Sequence, residues 1–224
     1  MDDRRTYYDH EPAYRKVLAT GGTGWDDACP SSDSYRDLDA FLAWAGLATA
    51  PGRRALEIGC GGGQAALRVA AAGFHATGLD FAPSAVALAR ANAARAGVDA
   101  TFVEGDVLTL AGLPDAGFDL VIDNHLSHCI VGVPHRTQLW AAVRRVLAPG
   151  GLLFVSTMSA EGAFDAAVLG VDPATRSNRA GNRYWIREAE LRAELEAAGL
   201  SILHRARVTD PAPSGDDLVA YARG

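Results

Sequence analysis

Apolar and polar residues follow two rhythms along this chain. Short apolar runs, "RALEIG" from residue 54, "HATGLD" from 75, "ATFVEG" from 100 and "FDLVID" from 118, have the length and texture of strands; the segments between them, 64–72 and 83–96, have helical spacing. A further helix is expected over 135–147, where Leu139, Val143, Val146 and Leu147 share one face after Pro134; "PGG" at 149–151 then turns the chain into the strand "LLFVS". Upstream, Leu38, Phe41, Leu42 and Ala45 form one helical stripe, with Asp33 or Ser34 as its N-cap. A last helix at 187–198 leads into "LSILHRARV" and "DLVAYAR", whose short Pro/Gly/Asp connection predicts an antiparallel hairpin at one sheet edge. Gly73, Gly97 and Gly199 stand where left-handed helix caps fall. Strand–helix alternation of this kind predicts parallel βαβ units with helices on both faces of one sheet.

The same pattern divides the chain into an N-terminal helical extension or lid, 1–50, and one α/β domain, 51–224. Residues 159–186, which lose periodicity, are expected to form a cap insertion. The 224 residues suffice for one such domain, and 49% hydrophobic with 21% charged residues is the composition of a globular protein. A net charge of −6 argues against a nucleic-acid partner. The sequence shows no signal-peptide core and no bilayer-length apolar stretch, so a cytoplasmic protein without a membrane partner is expected, as monomer or homodimer. Cys29, Cys60 and Cys129 are odd in number and widely spaced, which fits reduced thiols.

Chemistry enters at "LEIGCGGGQ", residues 56–64, where a strand runs into four glycines interrupted only by Cys60. A glycine-rich strand-to-helix turn lets a ligand reach main chain, and the helix behind it offers free N–H groups. Dinucleotides use such a turn for a pyrophosphate, and S-adenosylmethionine (SAM) uses it for its amino-acid and ribose portion. "GGGQAA" at 61–66 matches the relaxed dinucleotide pattern, which keeps an NAD-dependent oxidoreductase in view. Glu57 weighs the other way: a carboxylate at the strand end sits badly beside a pyrophosphate and well beside a cationic ligand. Asp80 ends the second strand, where its two oxygens can accept from ribose hydroxyls in either class. Asp106, after the third strand, can accept from an adenine amino group while the Val107 N–H donates to the ring.

Taken in order, "ALEIGCGGG", "TGLDFAPSAV", "FVEGDV", "FDLVIDN" and "RRVLAPGGLLFVS" resemble the successive motifs of the class I SAM-dependent methyltransferases, closely over 50–157 and by topology elsewhere. The resemblance implies a Rossmann-like seven-stranded sheet of order 3-2-1-4-5-7-6 with strand seven antiparallel. It implies SAM as cofactor and S-adenosylhomocysteine as its product. Gly59, Cys60 and Gly61 approach the methionine part, Asp80 holds the ribose, Phe81 packs on adenine, Asp106 reads the amino group, and Asp123 faces the sulfonium. "YRKVLATGGTGWDD" resembles the N-terminal segment of thiopurine- and thiol-methyltransferase-like proteins, which makes Trp25 a lid contact, with Tyr7, Tyr8 and Tyr14 at the same mouth. The adenine- and glutamine-modifying branch carries two prolines and an aromatic after strand four. "DNHL" departs from that, so a small-molecule acceptor is favoured, a specialised metabolite methylated on O, N or S. A SAM-binding module without catalysis is the remaining alternative.

"IDNHLSHCIVGVPH" gathers His125, His128, Cys129 and His135 just after strand four. An imidazole near its ordinary pKa can take a proton at neutral pH, and His128 is the first choice as base, His125 the second. The spacing of these residues with Asp123 matches no familiar metal-ligand signature, and no metal is expected. In the cap, Arg176, Arg179 and Arg183 could meet an acidic group of a substrate.

Overall fold

The computed structural model describes residues 9–24, 34–162, 166–178, 180, 182–209 and 215–224. Its seven strands are β1 (Arg54–Ile58), β2 (His75–Asp80), β3 (Thr101–Glu104), β4 (Phe118–Asn124), β5 (Leu147–Met158), β6 (Ser201–Val208) and β7 (Asp217–Arg223). They form one sheet of order β3-β2-β1-β4-β5-β7-β6, parallel from β3 to β5, with β7 antiparallel to both β5 and β6. The helices are α1 (Glu11–Thr20), α2 (Ser34–Trp44), α3 (Gln64–Ala71), α4 (Pro83–Ala96), α5 (Val133–Val146), α6 (Ala166–Leu169) and α7 (Glu188–Ala197).

Because side chains alternate across a strand, the sheet has two apolar faces and needs a helical layer on each. One face carries Ile58, Val121, Leu153 and Val155, and packs on Leu139, Trp140 and Val143 of α5 and Leu191 and Leu195 of α7. The other carries Leu120, Ile122, Phe154 and Tyr221, and packs on Phe41 of α2, Val69 of α3 and Val86 of α4. Phe41 lies edge-on to Tyr221 at 4.8 Å between ring centres and 5.4 Å from Phe154, which fixes α2 over the β5–β7 half of the sheet.

Local signals explain most boundaries. Gly73, Gly97 and Gly199 all have positive φ at the expected helix ends. Pro134 lies within the first turn of α5, so that helix starts at Val133, two residues before its expected origin. At its other end Leu147 already pairs with Phe118 as strand; β5 thus begins before "PGG", and the register shift between Phe118 and Leu120 absorbs the turn. The segment 159–186 is closed at its base by a bridge between Ser159 and Ile186 and is folded on itself by bridges Val171–Asn178 and Ser177–Tyr184, around the one-turn helix α6. Its order comes from pairing, which explains why it shows no apolar period. Among the described residues no helix is long and apolar enough to cross a membrane.

Candidate active site

The carboxyl ends of β1, β2, β4 and β5, together with the start of antiparallel β7, meet along one edge of the sheet, the place where open α/β sheets bind ligands. At β1 the turn after Ile58 is set by Gly59 and Gly61, with φ of 63° and 50°. These are left-handed values that an L side chain resists. A Cβ on Gly59 would strike the Leu126 side chain, and one on Gly61 would strike the Tyr14 hydroxyl. Gly62 and Gly63 answer a different need, close packing against the Thr23 carbonyl and the Phe102 ring. Asn92 and Gln64 each donate to that carbonyl at 2.7 Å, so the segment after α1 is tied to the turn. Cys60 points the other way: its thiol is buried against the sheet, and burial pushes its pKa well up, so only its main chain lies at the turn.

Two carboxylates build the turn from below. Glu57 accepts the Ala66 N–H at 2.7 Å, capping α3 from outside the helix. Burial pushes its pKa up to about 8; the Ala66 N–H opposes this and the charge of Asp80 adds to it. Asp80 accepts the Gly61 N–H and the Ala82 N–H, each at 2.9 Å, one on each oxygen, and so locks the glycine turn to the start of α4. Burial raises the Asp80 pKa as well. Beside it Phe81 is 44% exposed, an unusual position for a phenyl ring. Asp106 is exposed and accepts the Leu108 N–H at 2.8 Å, closing a local turn, while the Val107 side chain is buried in the core.

After β4 the chain doubles back. Asp123, fully buried, accepts the N–H groups of Leu126 and Ser127 through Oδ1 at 2.9 and 3.1 Å, while its Oδ2 has no hydrogen-bond partner. Burial raises its pKa. The residues Ser127–Cys129 form a single 3-10 turn beneath the cap, whose Tyr184 N–H donates to the His128 carbonyl at 2.8 Å. His128 is 5% exposed, its Nδ1 lacks a partner, and burial, reinforced by the charge of Arg183, drives its pKa well below the ordinary histidine value. Such an imidazole is neutral but a poor proton acceptor. Cys129 is buried too, its thiol raised to about 11. His125 differs: it is partly exposed, and its ring centre lies 5.7 Å from that of His128.

Several expectations change with this geometry. Arg176 donates to Tyr184 and Glu190, both within 2.8 Å, and so braces the cap. Arg183 reaches inward from the cap to His10 at the start of α1, at 3.2 Å. Trp25, Tyr7, Tyr8, Arg179, Cys29 and Asp33 lie outside the described residues. Tyr14 is buried with its hydroxyl against Gly61, and Glu11 of the same helix accepts from the Ser84 N–H and hydroxyl at 2.9 and 2.7 Å, so α1 lies across the turn. No pattern in the sequence announced Glu11, Ser156 or Asp217 as residues of this edge. Only the acidic pair opening the apolar run "DDLVAYAR" hinted at the last of them.

The sheet order, the carboxylates at successive strand ends and the bare turn define the class, and the comparisons agree. Residues 55–151 match a family model described as a methyltransferase domain. A ubiquinone biosynthesis O-methyltransferase of Xanthomonas axonopodis pv. citri is 31% identical over 198 residues, covering 86% of this chain and 82% of the relative. Among solved structures, the Burkholderia thailandensis 1,6-didemethyltoxoflavin-N1-methyltransferase, with 1,6-didemethyltoxoflavin and S-adenosylhomocysteine bound, superposes with a TM-score of 0.70 at 23% identity, over 95% of this chain and 86% of that one. A structure titled for the conversion of a disulfide bond into a thioacetal group during echinomycin biosynthesis superposes with a TM-score of 0.62 at 28% identity, over 82% and 79%. The chain belongs to the class I SAM-dependent methyltransferases.

Proposed function

We propose that this protein moves the methyl group of SAM to a hydroxyl oxygen of a small molecule. The observation that carries the reading is Asp80, whose two oxygens tie the glycine turn to α4 and stand at the sheet edge beside the exposed Phe81 ring. A carboxylate next to a half-exposed aromatic ring suits a ribose joined to adenine, and at Gly59 and Gly61 the turn, packed under Leu126 and Tyr14, offers main chain to the methionine part. Asp106, exposed two residues past β3, would accept from the adenine amino group, with the Val107 N–H as donor to the ring. The orphaned Asp123 Oδ2 suits a sulfonium better than a pyrophosphate, while Glu57, which burial keeps protonated up to about pH 8, serves to hold the turn and adds little charge. When bound, SAM supplies an activated methyl group. The protein has to hold the acceptor in line with that group and accept one proton.

Oxygen is favoured over nitrogen or sulfur because the curated relative is named an O-methyltransferase and because the edge beyond β4 offers a partly exposed imidazole, which a hydroxyl acceptor needs. His125 is preferred to His128 as base, since burial makes His128 hard to protonate. The cap, 159–186, and α1 with Tyr14 wall the acceptor's side of the site in this reading, which favours a small molecule over a macromolecule.

Calorimetric titration tests the cofactor assignment. S-adenosylhomocysteine is expected to bind and NAD is not, and Asp80→Ala should weaken the first by roughly ten- to a hundredfold, the worth of one or two charge-assisted hydrogen bonds. Binding of NAD alone, or an unchanged affinity in the Asp80 variant, overturns it. Incubation with SAM and a catechol such as caffeate, followed by mass spectrometry for a product one methylene heavier, tests the acceptor class.

A further inference from the structure

Three side chains from separate parts of the chain converge beyond the end of β4. His125 Nε2 lies 3.4 Å from Asp217 Oδ2 at the start of β7 and 3.4 Å from Ser156 Oγ on β5, while the His125 N–H donates to the Ser156 carbonyl at 2.9 Å. Sheet register makes the meeting unavoidable: Asn124 pairs with Ser156, Met158 pairs with Asp217, and Ser156 and Asp217 project to the same face. His125 has φ of 65°, one of four positive values at non-glycine positions among the described residues. A left-handed histidine is costly and persists only where its surroundings over-determine it. Asp217 is 7% exposed, and a buried carboxylate facing an imidazole is the arrangement that fixes a tautomer and stabilises the imidazolium.

We propose that Asp217 is a positioning residue which, with Ser156, orients the His125 imidazole as the proton acceptor for the substrate hydroxyl. The proposal rests on the reading of the protein as an O-methyltransferase. With Nε2 protonated toward Asp217, the ring accepts at Nδ1. The acceptor oxygen gains the methyl group, its proton passes to His125 and on to water, and the methyl–sulfur electron pair stays with the departing thioether. The contact distances are those of a resting site, in which catalytic hydrogen bonds are often long. The titratable groups set against His125 are Asp217 from β7, Asp123 from β4 and His128 from the 3-10 turn. Of these, Asp217 makes the direct contact with Nε2.

The test uses the full-length protein labelled with ¹⁵N-histidine, its ring signals followed by two-bond proton–nitrogen correlation against pH. His125 is assigned by loss of its signal in His125→Asn, because asparagine tolerates the left-handed backbone. Wild-type His125 should be the Nε2–H tautomer when neutral. Asp217→Asn should lower its titration midpoint by about half a unit or more, and Asp217→Glu should restore part of the shift. A neutral wild-type ring protonated at Nδ1 overturns the proposal without any variant having to fold, and so does an unmoved midpoint in Asp217→Asn. With caffeate as acceptor, Asp217→Asn should cut kcat by about tenfold or more at little change in KM and move the acidic limb of the kcat/KM profile downward. A loss with the limb in place overturns the proposal as well. Failure of the wild type to bind S-adenosylhomocysteine sinks the methyltransferase reading instead, and the histidine spectra then still decide the Asp217 contact.

Discussion

Single carboxylates do most to shape this edge, and Glu57 shows how they can be told apart. Its folded pKa of about 8 lies above the ordinary 4.5, so between those values the native state holds a proton that the unfolded chain has lost. Its contribution to stability is whole below about pH 4.5 and is lost as pH rises toward 8. Glu57→Gln keeps an acceptor for the Ala66 N–H and cannot ionise. The wild-type melting temperature should therefore fall relative to the variant's across that window, and parallel curves in a thermal melt series would refute it. Glu57, Asp80 and Asp123 were legible in the sequence because each interrupts an apolar run at a strand's end. Asp217 gives the same kind of signal at a strand's beginning, and its bearing on the site depends on β7 lying beside β5, which the hairpin signal does not record. Cys60 is the converse case: it sits among the glycines of the turn, yet its side chain turns into the core.

Among the elements, α1 was the least readable. Its apolar face is short, and what anchors it is polar and distant: Glu11 to Ser84, Tyr14 to the Gly61 turn, His10 to Arg183. The central helices and strands could be read because their periodicity and glycine caps are local properties. The ends of α5 and the start of β5 could not, since pairing of Leu147 with Phe118 overrides a side chain that fits the helical stripe. The cap hid its order in cross-bridges. Glu11→Gln should release α1 alone: amide exchange across residues 13–20 should quicken by about tenfold, matching the loss of about one charge-assisted bond, while β1 and β4 stay protected. Equal loosening of the sheet would show that α1 is part of the global folding unit.

At the level of the whole molecule, one guanidinium spans the architecture. Arg136 of α5, 1% exposed, donates to Glu194 of α7 and to the carbonyls of Ser127 and Ile130, and Trp140 donates to the same Glu194 at 2.8 Å. Arg136→Met takes the guanidinium from Glu194 and from the Ser127 and Ile130 carbonyls, leaving the carboxylate to Trp140 and the Ser127 carbonyl to the Ile130 N–H. It should destabilise the protein by about 2–4 kcal/mol in urea unfolding, discounted because Glu194 keeps some contact with water. A loss under about 1 kcal/mol would make the residue ornamental. The placement of β7 between β5 and β6 has one more consequence. Its register is held on both sides at once, and a slip of one position there would bring Leu218 where Asp217 belongs. Such a slip would keep the sheet hydrogen-bonded while taking the carboxylate away from His125, so in the proposed chemistry the pairing of this one strand separates a folded molecule from a working one.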